Sequence, residues 1–538
     1  MTYVITHGCC NDTSCIPVCP VGCIRPVPGD PDFTLTDQLY IDPKTCIDCA
    51  ACMDVCPVNA IYPELDLPEN LAEYLDVNAD YFDGNRSPQP AAPGPPPRRL
   101  PPGRPELAVA VVGSGPAGCY TAAELSEIPG VRVSVFDRLP TPFGLARSGV
   151  APDHPNTKLI TKRFGSALSR ANVSCFLNVE VGRDISIDEL LDYHHAVVWA
   201  GGAASDRRLG IPGEDLPGCV SAREFVAWYN GHPDAAEHAF ALDRPRVVVI
   251  GNGNVGLDVA RVLASPVDGL EHTDMADHAI EALRASAVDE VVIAARRGPE
   301  SAAYTAGELS ALDHHQGIVV RTVGAEVAEV AHLKDRRSAI VTAAAGRPAA
   351  GGRGTITLRY GLRPVSINGQ GAVESVTFEH ADGTLETIST ALVVRAIGYR
   401  GEPIASLPFE DVTGTLPHAA GRVVDLTTRQ PVTGMYCTGW IKRGATGTIG
   451  TNKSDAAETL RSVLHDLGAG LLGNPEDDLG SLAELIRSRR PDLVDKAGWR
   501  RIDLAERSRG RAAGRPRSKI VWLPDLLTAA LPDASLDR

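Results

Sequence analysis

At 538 residues, with 43% hydrophobic and 22% charged side chains, the chain has the composition of a globular protein of about three to four domains, which argues against disorder and against a fibre. No segment approaches the roughly 18 consecutive apolar residues of a membrane helix, and the N-terminal residues lack the basic and apolar regions of a signal peptide, so the sequence predicts a cytoplasmic protein without a membrane span. The chain has a net charge of −15, and most of it lies in residues 1–83, which contain 14 Asp/Glu and 2 Lys/Arg. This acidic head disfavours a nucleic-acid partner, and it suits either docking on a basic surface or simple solubility.

The first 66 residues are rich in cysteine, since nine of the 13 cysteines lie before residue 57. Such a density without a secretion signal is more typical of metal or cluster ligation than of disulfides. Three closely spaced cysteines followed by a Cys-Pro pair wrap one iron–sulfur cubane, while the fourth cysteine reaches a second cluster. An upstream run that also ends in Cys-Pro completes this crossed pattern. The predicted ligands are Cys19, Cys46, Cys49 and Cys52 for one [4Fe–4S] cluster and Cys9, Cys15 and Cys56 for the second.

The upstream run departs from the regular two-cluster pattern, because it has no cysteine at the usual second position. Three thiolates suffice for a [3Fe–4S] cluster, which the sequence favours, whereas a [4Fe–4S] cluster needs Cys10 or a group such as Asp12 as its fourth ligand. Cys10 and Cys23 are then predicted to be free thiols near the clusters. A structural zinc site is the alternative for this segment, and the Cys-Pro endings argue against it.

A connection is predicted over residues 67–104. Residues 67–83 form an acidic piece with apolar residues at helical spacing. The prolines that follow cannot form a helix or a central strand, so they predict a semi-rigid, extended linker.

A βαβ unit follows the linker. The apolar run over 107–112 predicts a buried strand, which leads into a Gly-x-Gly-x-x-Gly turn, a helix and a second strand that ends at an acidic residue. The glycines let backbone amides approach a pyrophosphate, and the carboxylate is placed to accept hydrogen bonds from a ribose. A Rossmann fold without a nucleotide is the alternative. The predicted contacts are Gly113, Gly115, Ala117, Gly118 and Asp137.

A second βαβ unit begins with the strand predicted over 246–250 and differs from the first where it meets the ribose. Its glycine turn covers 251–256, and an inserted segment around 266–288 delays its next strand. Arg296 and Arg297 follow that strand in place of a carboxylate, and adjacent guanidinium groups suit a 2′-phosphate, hence NADP instead of NAD. Two solvated surface arginines are the alternative.

Two dinucleotide folds in one chain predict two bound nucleotides. The segments 197–203 and 393–398 are predicted strands that end at small residues, where the chain can pass between domains. The predicted fold class is α/β, with two Rossmann-like domains, the second (NADP) domain inserted in the first, and an N-terminal α+β iron–sulfur domain. The predicted boundaries are 1–66 for the iron–sulfur domain, 67–104 for the connection, 105–204 and 397–538 for the first Rossmann-like domain with a C-terminal helical region, and 205–396 for the NADP domain.

Longer motifs give the chain a specific resemblance to known families. The cysteine-rich segment resembles bacterial two-cluster ferredoxins of the seven-iron kind. Residues 105–538 resemble the adrenodoxin reductase family of ferredoxin–NADP reductases across nearly their whole length. The segments that carry the second resemblance are 112–118, 142–155, 251–261, 295–299, 438–444 and 447–453.

This resemblance implies FAD in the first unit and NADPH in the second. The family usually has glutamate at the position of Asp137, and the shorter acid should still reach a ribose. Gly447 is expected near both cofactors. The implied FAD contacts are Leu145, Val181, Trp440, Gly447, Thr448 and Ile449, and the implied NADPH contacts are Asn252, Gly253, Asn254, Val255, Arg207, Arg296, Arg297 and Glu308.

The predicted activity is that of a FAD-dependent ferredoxin–NADP(+) reductase. NADPH gives a hydride to the flavin, which passes single electrons to the clusters, so no nucleophile and no general-base triad are expected. By resemblance, His154 and Glu308 are the candidates for catalytic roles near the flavin and the nicotinamide. The electrons leave through the fused head, or the head competes with an external ferredoxin.

Three other functions share part of this plan. A flavin disulfide reductase needs a redox CxxC pair in the body, where the four cysteines lie far apart. The electron-input subunit of a larger complex, similar to the small subunit of glutamate synthase, also joins clusters to a flavoprotein, but the 153–155 and 439–444 segments favour the adrenodoxin reductase type. The third is a redox sensor or electron-storage module, which steady NADPH consumption with an added acceptor would distinguish from an enzyme.

Overall fold

The computed structural model shows an N-terminal head, two α/β units and a C-terminal helical region. The head is built on two short antiparallel strand pairs with the cysteines in the loops around them. Its elements are β1 (Tyr3–Ile5), β2 (Ile24–Arg25), β3 (Tyr40–Ile41), α1 (Ala51–Asp54), β4 (Ile61–Pro63) and α2 (Tyr74–Phe82). The structure describes residues 2–36, 38–83, 98–324, 326–333 and 335–532.

The acidic segment after the cysteines is helical only in its second half. Two 3₁₀ turns, Glu64–Asp66 and Glu69–Leu71, precede α2. A proline directly before each turn holds the backbone extended there and prevents one continuous helix. The proline-rich linker predicted after this segment falls largely on 84–97, which lies outside the described residues.

The first α/β unit begins with a strand whose bounds match the prediction. All six residues of Leu107–Val112 are buried, as expected for a parallel strand that is covered on both faces. The helix after it begins at Pro116, whose fixed φ suits the first helical turn. The elements are β5 (Leu107–Val112), α3 (Pro116–Ser126), β6 (Val131–Asp137), α4 (Leu145–Ser148), α5 (Pro155–Lys158), α6 (Ile160–Leu168), β7 (Val173–Leu177), α7 (Ile187–Tyr193) and β8 (Ala196–Trp199).

The second α/β unit follows, and the insertion predicted around 266–288 carries two helices of its own. The elements are β9 (Ser205–Asp206), β10 (Cys219–Ser221), α8 (Ala222–Tyr229), β11 (Arg246–Ile250), α9 (Asn254–Ala264), α10 (Val267–Leu270), α11 (Asp277–Arg284), β12 (Glu290–Ala294), α12 (Ala306–Asp313), β13 (Val319–Val323), α13 (Val327–Val330), α14 (Arg336–Ala343), β14 (Thr355–Arg359), β15 (Arg363–Asn368), β16 (Ser375–Glu379), β17 (Leu385–Ser389), β18 (Leu392–Arg395) and β19 (Tyr399–Arg400).

The chain then returns to the first unit and ends in helices. The elements are β20 (His418–Ala419), β21 (Arg422–Val424), β22 (Pro431–Cys437), α15 (Trp440–Arg443), α16 (Thr451–Gly468), α17 (Leu479–Arg489), α18 (Lys496–Ala512) and α19 (Leu523–Ala530). Among the residues that the structure describes, no helix combines the length and the apolar character that crossing a bilayer requires.

The order of the strands shows that one unit is inserted in the other. The first sheet has the order β20-β21-β22-β8-β5-β6-β7, and the second, all parallel, has the order β10-β18-β11-β12-β14-β13. The chain leaves the first sheet at β8 and returns at β20, and β22 pairs with β8. At the crossing, β9 pairs with β19. The predicted α/β fold class, with two Rossmann-like units and a separate N-terminal unit, is confirmed.

Apolar residues cover both faces of each large sheet. In the second unit, the antiparallel sheet β15-β16-β17 packs on one face, where Val248, Val292 and Phe378 belong to one apolar cluster, and helices α8, α9 and α11 pack on the other. In the first unit, α3, α6 and α16 cover one face and α7 and α17 the other. The carboxyl ends of the central strands therefore stay free to carry the site.

Candidate functional site

Four cysteines of the head converge on one cavity, and we call them the outer cysteines: Cys19, Cys46, Cys49 and Cys52. The cavity measures about 290 Å³ with its open mouth. Four thiols around one space fit a [4Fe–4S] cluster. Cys23 lines the same cavity, with its Sγ atom 3.4 Å from that of Cys19.

Three further cysteines, Cys9, Cys15 and Cys56, lie on the side of the head that faces the body, and we call them the inner cysteines. They belong to the same apolar cluster as most of the outer cysteines. The backbone N–H of Asn11 donates to the Cys9 sulfur at 3.3 Å, and that of Ala60 donates to the Cys56 sulfur at 3.3 Å. Amide donors of this kind tune the reduction potential of a thiolate-bound cluster.

Cys10 and Asp12, the two groups considered as a fourth inner ligand, both contact the body. Cys10 is only 2% exposed and belongs to the apolar cluster that contains Tyr120. The Asp12 carboxylate accepts hydrogen bonds from Arg163 at 2.8 Å and from the Ser14 hydroxyl at 2.7 Å. Asp12 therefore has partners other than the inner cysteines, whereas Cys10 belongs to a cluster against which Cys9 and Cys56 also pack.

The first glycine turn forms a cradle that only glycine can build. A Cβ on Gly113 would lie 2.5 Å from the Ala200 carbonyl oxygen, and one on Gly118 would lie 1.8 Å from the carbonyl oxygen of Gly113. Asp137 ends β6 and accepts hydrogen bonds from the backbone N–H of Ser114 at 2.8 Å and from its hydroxyl at 2.6 Å. The predicted residues Gly115 and Ala117 are the N-cap and a first-turn residue of α3.

Leu145 and Val181, two other residues implied by the resemblance, lie in different surroundings. Leu145 opens α4, and the preceding Gly144 approaches Gly115 so closely that a Cβ there would be 2.9 Å from the Gly115 Cα. Val181 is buried in the apolar cluster on the opposite face of the sheet from α3. Only Leu145 is thus placed directly beside the glycine turn.

One buried carboxylate holds the 438–444 segment against α16. Asp455 accepts hydrogen bonds from Lys442 Nζ at 2.7 Å, from Arg443 at 2.8 Å and from the backbone N–H of Gly439. Trp440, a predicted flavin contact, stacks on Tyr399 with ring centroids 5.4 Å apart. These contacts fix the backbone that leads into the next loop.

The loop 447–450 is fixed by α16 in the same way. Asn452 Nδ2 donates to the carbonyl oxygens of Thr448 at 3.2 Å and Ile449 at 2.9 Å. The Thr451 hydroxyl accepts from the Thr448 N–H at 2.8 Å. The predicted contacts Gly447, Thr448 and Ile449 therefore form one rigid edge, at the N-terminus of α16.

The second glycine turn repeats the construction of the first. A Cβ on Gly256 would lie 2.4 Å from the Gly251 carbonyl oxygen. The Asn254 side chain accepts from the Thr305 N–H at 3.1 Å and so connects this turn to α12, which carries Glu308. The predicted residues Asn252, Gly253 and Val255 belong to the same turn.

Three predicted arginines lie around this turn in exposed positions. Arg296 and Arg297 follow β12, and no ion pair among the described residues involves either of them. The Arg207 backbone N–H donates to the Gly398 carbonyl oxygen at 3.1 Å, where the chain crosses between the units. The three guanidinium groups remain available for an anion.

His154 and Glu308, the two candidate catalytic residues, meet at a buried arginine. Arg261 is 5% exposed, and its NH2 group lies 2.6 Å from His154 Nε2 while its NH1 group lies 3.9 Å from the Glu308 carboxylate. Asp153 accepts from Arg261 Nε at 2.6 Å, and Asp258 accepts from NH2 at 2.5 Å. Arg261 thus joins the first unit, through the 153–154 loop, to helices α9 and α12 of the second.

The positive charge of Arg261 determines the protonation state of Asp153. Burial alone raises the pKa of the Asp153 carboxyl, but the Arg261 guanidinium outweighs burial and holds that pKa well below its usual range. Asp153 is therefore ionised and paired at neutral pH. Three carboxylates and one imidazole around a single guanidinium give a polar centre between the two glycine turns.

The head docks on the first unit through the loop that precedes α16. The Gly450 N–H donates to the Cys10 carbonyl oxygen at 2.7 Å, and a Cβ on Gly450 would lie 2.0 Å from the carbonyl carbon of Asn11. Lys453 Nζ donates to the Asp12 carbonyl oxygen at 3.0 Å. The segment 9–12, which begins at an inner cysteine, therefore lies directly on the 447–450 edge.

The head also contacts the second unit, through α2. The Tyr74 hydroxyl, in a side chain with no exposed surface, donates to the Gly307 carbonyl oxygen at 3.2 Å. Glu73 pairs with Arg336 at 2.5 Å and accepts a hydrogen bond from the Ser310 hydroxyl. The head therefore bridges both nucleotide-type units.

Family models match two parts of the chain, and together with the geometry they define its class. Residues 107–347 match the model described as pyridine nucleotide-disulphide oxidoreductase, and residues 39–62 match the 4Fe-4S binding domain. Two glycine-turn units and a cysteine-ligand head thus make the chain an iron–sulfur-containing pyridine-nucleotide oxidoreductase.

Curated relatives give the family. A probable ferredoxin/ferredoxin–NADP reductase of Mycobacterium tuberculosis is 46% identical over 547 aligned positions, which cover 98% of this chain and 95% of the relative. NADPH:adrenodoxin oxidoreductase of Arabidopsis thaliana is 38% identical and covers 79% of this chain and 95% of its own length. The solved structure of Mycobacterium tuberculosis FprA in complex with NADPH matches 79% of this chain and all of its own, at 39% identity and a TM-score of 0.74. The chain belongs to the ferredoxin/ferredoxin–NADP reductase family.

Some residues of the site were not found by sequence reasoning. Arg261 stands one helical turn after Asp258 on α9, a helix of mostly apolar residues. A lone arginine on such an apolar helix was the sequence signal that could have indicated a buried ion pair. The contacts between head and body were also not found: Lys453 and Arg163 of the body bind Asp12 of the head, and Glu73 of the head binds Arg336. No local pattern in the sequence indicates partners so far apart along the chain.

Proposed function

We propose that this chain is a FAD-dependent ferredoxin–NADP(+) reductase that moves electrons between NADPH and the iron–sulfur clusters of its own head. Bound FAD supplies the chemistry that links a two-electron hydride donor to one-electron acceptors. The observation that supports this function best is the backbone contact between loop 447–450 and the Cys10 carbonyl group. It places the inner cysteines against the edge that we assign to the flavin.

The first glycine turn fits FAD. Its cradle excludes any side chain at Gly113 and Gly118, so backbone amides at the start of α3 are open to a diphosphate. Asp137 orients this turn through Ser114 and lies at the end of β6, where a ribose hydroxyl is bound in such folds. We assign the flavin contacts to Leu145, Trp440 and loop 447–450, and Val181 remains a prediction from the resemblance.

The second glycine turn fits NADPH in the same manner. The residues 252–255 would hold the diphosphate, while Arg296, Arg297 and Arg207 supply positive charge for it and for the 2′-phosphate. We propose that Glu308 and His154 orient the nicotinamide and the flavin toward each other. Arg261 holds both side chains in place.

For the clusters, we propose one [4Fe–4S] cluster on the outer cysteines and one [3Fe–4S] cluster on the inner cysteines. The hydrogen bonds of Asp12 with Arg163 and Ser14 argue against Asp12 as a fourth inner ligand, and Cys10, which lies in one cluster with Cys9 and Cys56, is the alternative fourth ligand of a [4Fe–4S] cluster. The domain boundaries 1–66, 67–104, 105–204, 205–396 and 397–538 and the cytoplasmic location remain predictions.

An anaerobic NADPH titration of the purified full chain tests this function, followed by visible absorption and low-temperature EPR on the same samples. We expect the flavin to bleach and the cluster signals to change in sequence, with a [3Fe–4S] signal in the oxidised protein. If the flavin bleaches and no cluster responds, the head is not in series with the flavin, and a sensing role replaces the proposal.

Replacing Arg296 and Arg297 together by alanine is expected to weaken the binding of NADPH but not that of NADH. Hydrogen bonds to charged groups contribute about 1.5–3 kcal/mol, so the KM for NADPH should rise roughly 10- to 100-fold while that for NADH stays unchanged. Steady-state rates with ferricyanide and each nucleotide measure this change. The matched control is Arg487→Ala on the exposed side of α17. An equal rise in KM for both nucleotides would show that the two arginines do not recognise the 2′-phosphate.

A further inference from the structure

The head has a second face, whose side chains are exposed among the residues that the structure describes. Around the outer cysteines, the exposed side chains include Ile47 at 57%, Met53 at 37% and Val55 at 36% exposure, and Cys49 is itself exposed. The contacts with the body use the other side of the head, from Gly8 to Ser14 and along α2. Exposed apolar side chains beside an exposed cluster ligand are typical of a surface that a partner covers.

Acidic side chains alternate with these apolar ones. Asp48 stands between Ile47 and Cys49, and Asp54 stands between Met53 and Val55, and both carboxylates are exposed. Between residues 38 and 66 there are five acidic residues and one basic residue, Lys44. The Lys44 ammonium is paired with Asp83 at 3.3 Å, so it does not offset the negative charge of the face. Complementary charge steers association, and this face therefore fits a basic partner.

Among the residues that the structure describes, the edge of the body that we assign to the flavin is covered while the head is docked. Loop 447–450 is covered by the segment 9–12, and the two basic side chains beside it, Lys453 and Arg163, are already paired with the head. An acidic external protein would have to displace the head to reach this edge. Cys49 and the side chains around it remain exposed in the same arrangement.

We propose that the outer face, made of Ile47, Asp48, Cys49, Met53, Asp54 and Val55, is the docking site of a basic, one-electron acceptor protein. The inference rests on the proposed function. One NADPH reduces two acceptor molecules by one electron each and leaves as NADP⁺ with release of one proton. The acceptor's basic rim surrounds an apolar centre that covers Ile47 and Met53, in the arrangement common to protein interfaces.

The test uses the full-length holoprotein and a basic c-type cytochrome as the probe. The variant Asp48→Lys/Asp54→Lys is compared with Asp477→Lys/Glu484→Lys, which makes the same change in charge at exposed positions near and on α17, on the far face of the first unit. Calorimetry at low ionic strength measures binding of the oxidised cytochrome without NADPH. Initial rates then measure its reduction.

For Asp48→Lys/Asp54→Lys we expect binding and kcat/KM for the cytochrome to fall about tenfold or more, with flavin bleaching and cluster EPR unchanged, because charge steering changes association by at least that factor. Wild-type binding should weaken with salt, and a succinylated, acidic cytochrome should not bind. The proposal is overturned if the α17 variant loses as much, or if binding is unchanged. If instead NADPH reduces no cluster while the cytochrome still binds the outer face, it is the proposed function that fails.

Discussion

Gly450→Ala is expected to undock the head from the reductase body. Gly450 has φ −71°, so alanine suits its own backbone, yet the added Cβ would lie 2.0 Å from the Asn11 carbonyl carbon and 2.2 Å from the Asp12 nitrogen. Overpacking of this kind costs about 1–3 kcal/mol, which lowers the equilibrium constant for docking by roughly 5- to 100-fold. Stopped-flow reduction by NADPH should show a normal flavin phase and a cluster phase slowed by up to that factor.

The control for this variant is Gly473→Ala, at a position where an added Cβ meets nothing within 4 Å. Bound FAD, measured by absorption, verifies that loop 447–450 is intact in both variants. Unchanged cluster reduction in Gly450→Ala would contradict the docked arrangement as the route of the electrons. Faster reduction of the basic cytochrome by the same variant would mean that the acceptor takes electrons from the body directly.

Arg261→Leu is expected to destabilise the protein by about 3 kcal/mol or more, since it leaves buried carboxylates without their cation. Arg261 is only 5% exposed and pairs with Asp153 and Asp258 at 2.6 and 2.5 Å. Thermal unfolding followed by flavin fluorescence should show a melting temperature several degrees lower. Arg246→Leu is the matched control, because Arg246 is 41% exposed in its pair with Glu290 and a surface pair contributes about 0–1 kcal/mol.

The same variant should change how stability depends on pH. In the natural protein the pKa of Asp153 is depressed, so its contribution is complete above the unfolded pKa of about 3.9 and is lost as the pH falls below it. Without Arg261, burial is the dominant cause and raises that pKa, so the variant loses stability as the pH rises from about 4 through the new value. The difference between the two proteins should be smaller at pH 4.5 than at pH 7.5. A constant difference would show that Asp153 is not the group left unpaired.

The sequence predicted the elements whose signal is local. The strands at Leu107–Val112 and Arg246–Ile250 are apolar runs that precede glycine turns, and both appear with the expected bounds. The outer cysteines were predicted from spacing alone, and they surround one cavity. In each case the deciding interaction lies within a few residues of the pattern.

What the sequence did not predict depends on long-range contacts. The partners Glu73 and Arg336 are 263 positions apart, and Asp12 and Lys453 are 441 apart, so no spacing rule connects them. The helix predicted over 67–83 begins only at Tyr74, because Pro68 interrupts its first half. Val181, which the resemblance implies as a flavin contact, lies in the apolar cluster on the other face of the sheet from α3 and stays a prediction.

The bridging position of the head has a consequence for NADPH binding. Tyr74 contacts Gly307, the residue before Glu308, while Gly450 and Lys453 hold the same head on the first unit. A rotation of one unit against the other must therefore break contacts of the head. A nucleotide that prefers one relative orientation of the units thus also changes the affinity of the head for the body. Thermodynamic reciprocity requires the converse with the same coupling free energy, so a nucleotide that selects one orientation of the two units and the docked head are linked through the same contacts.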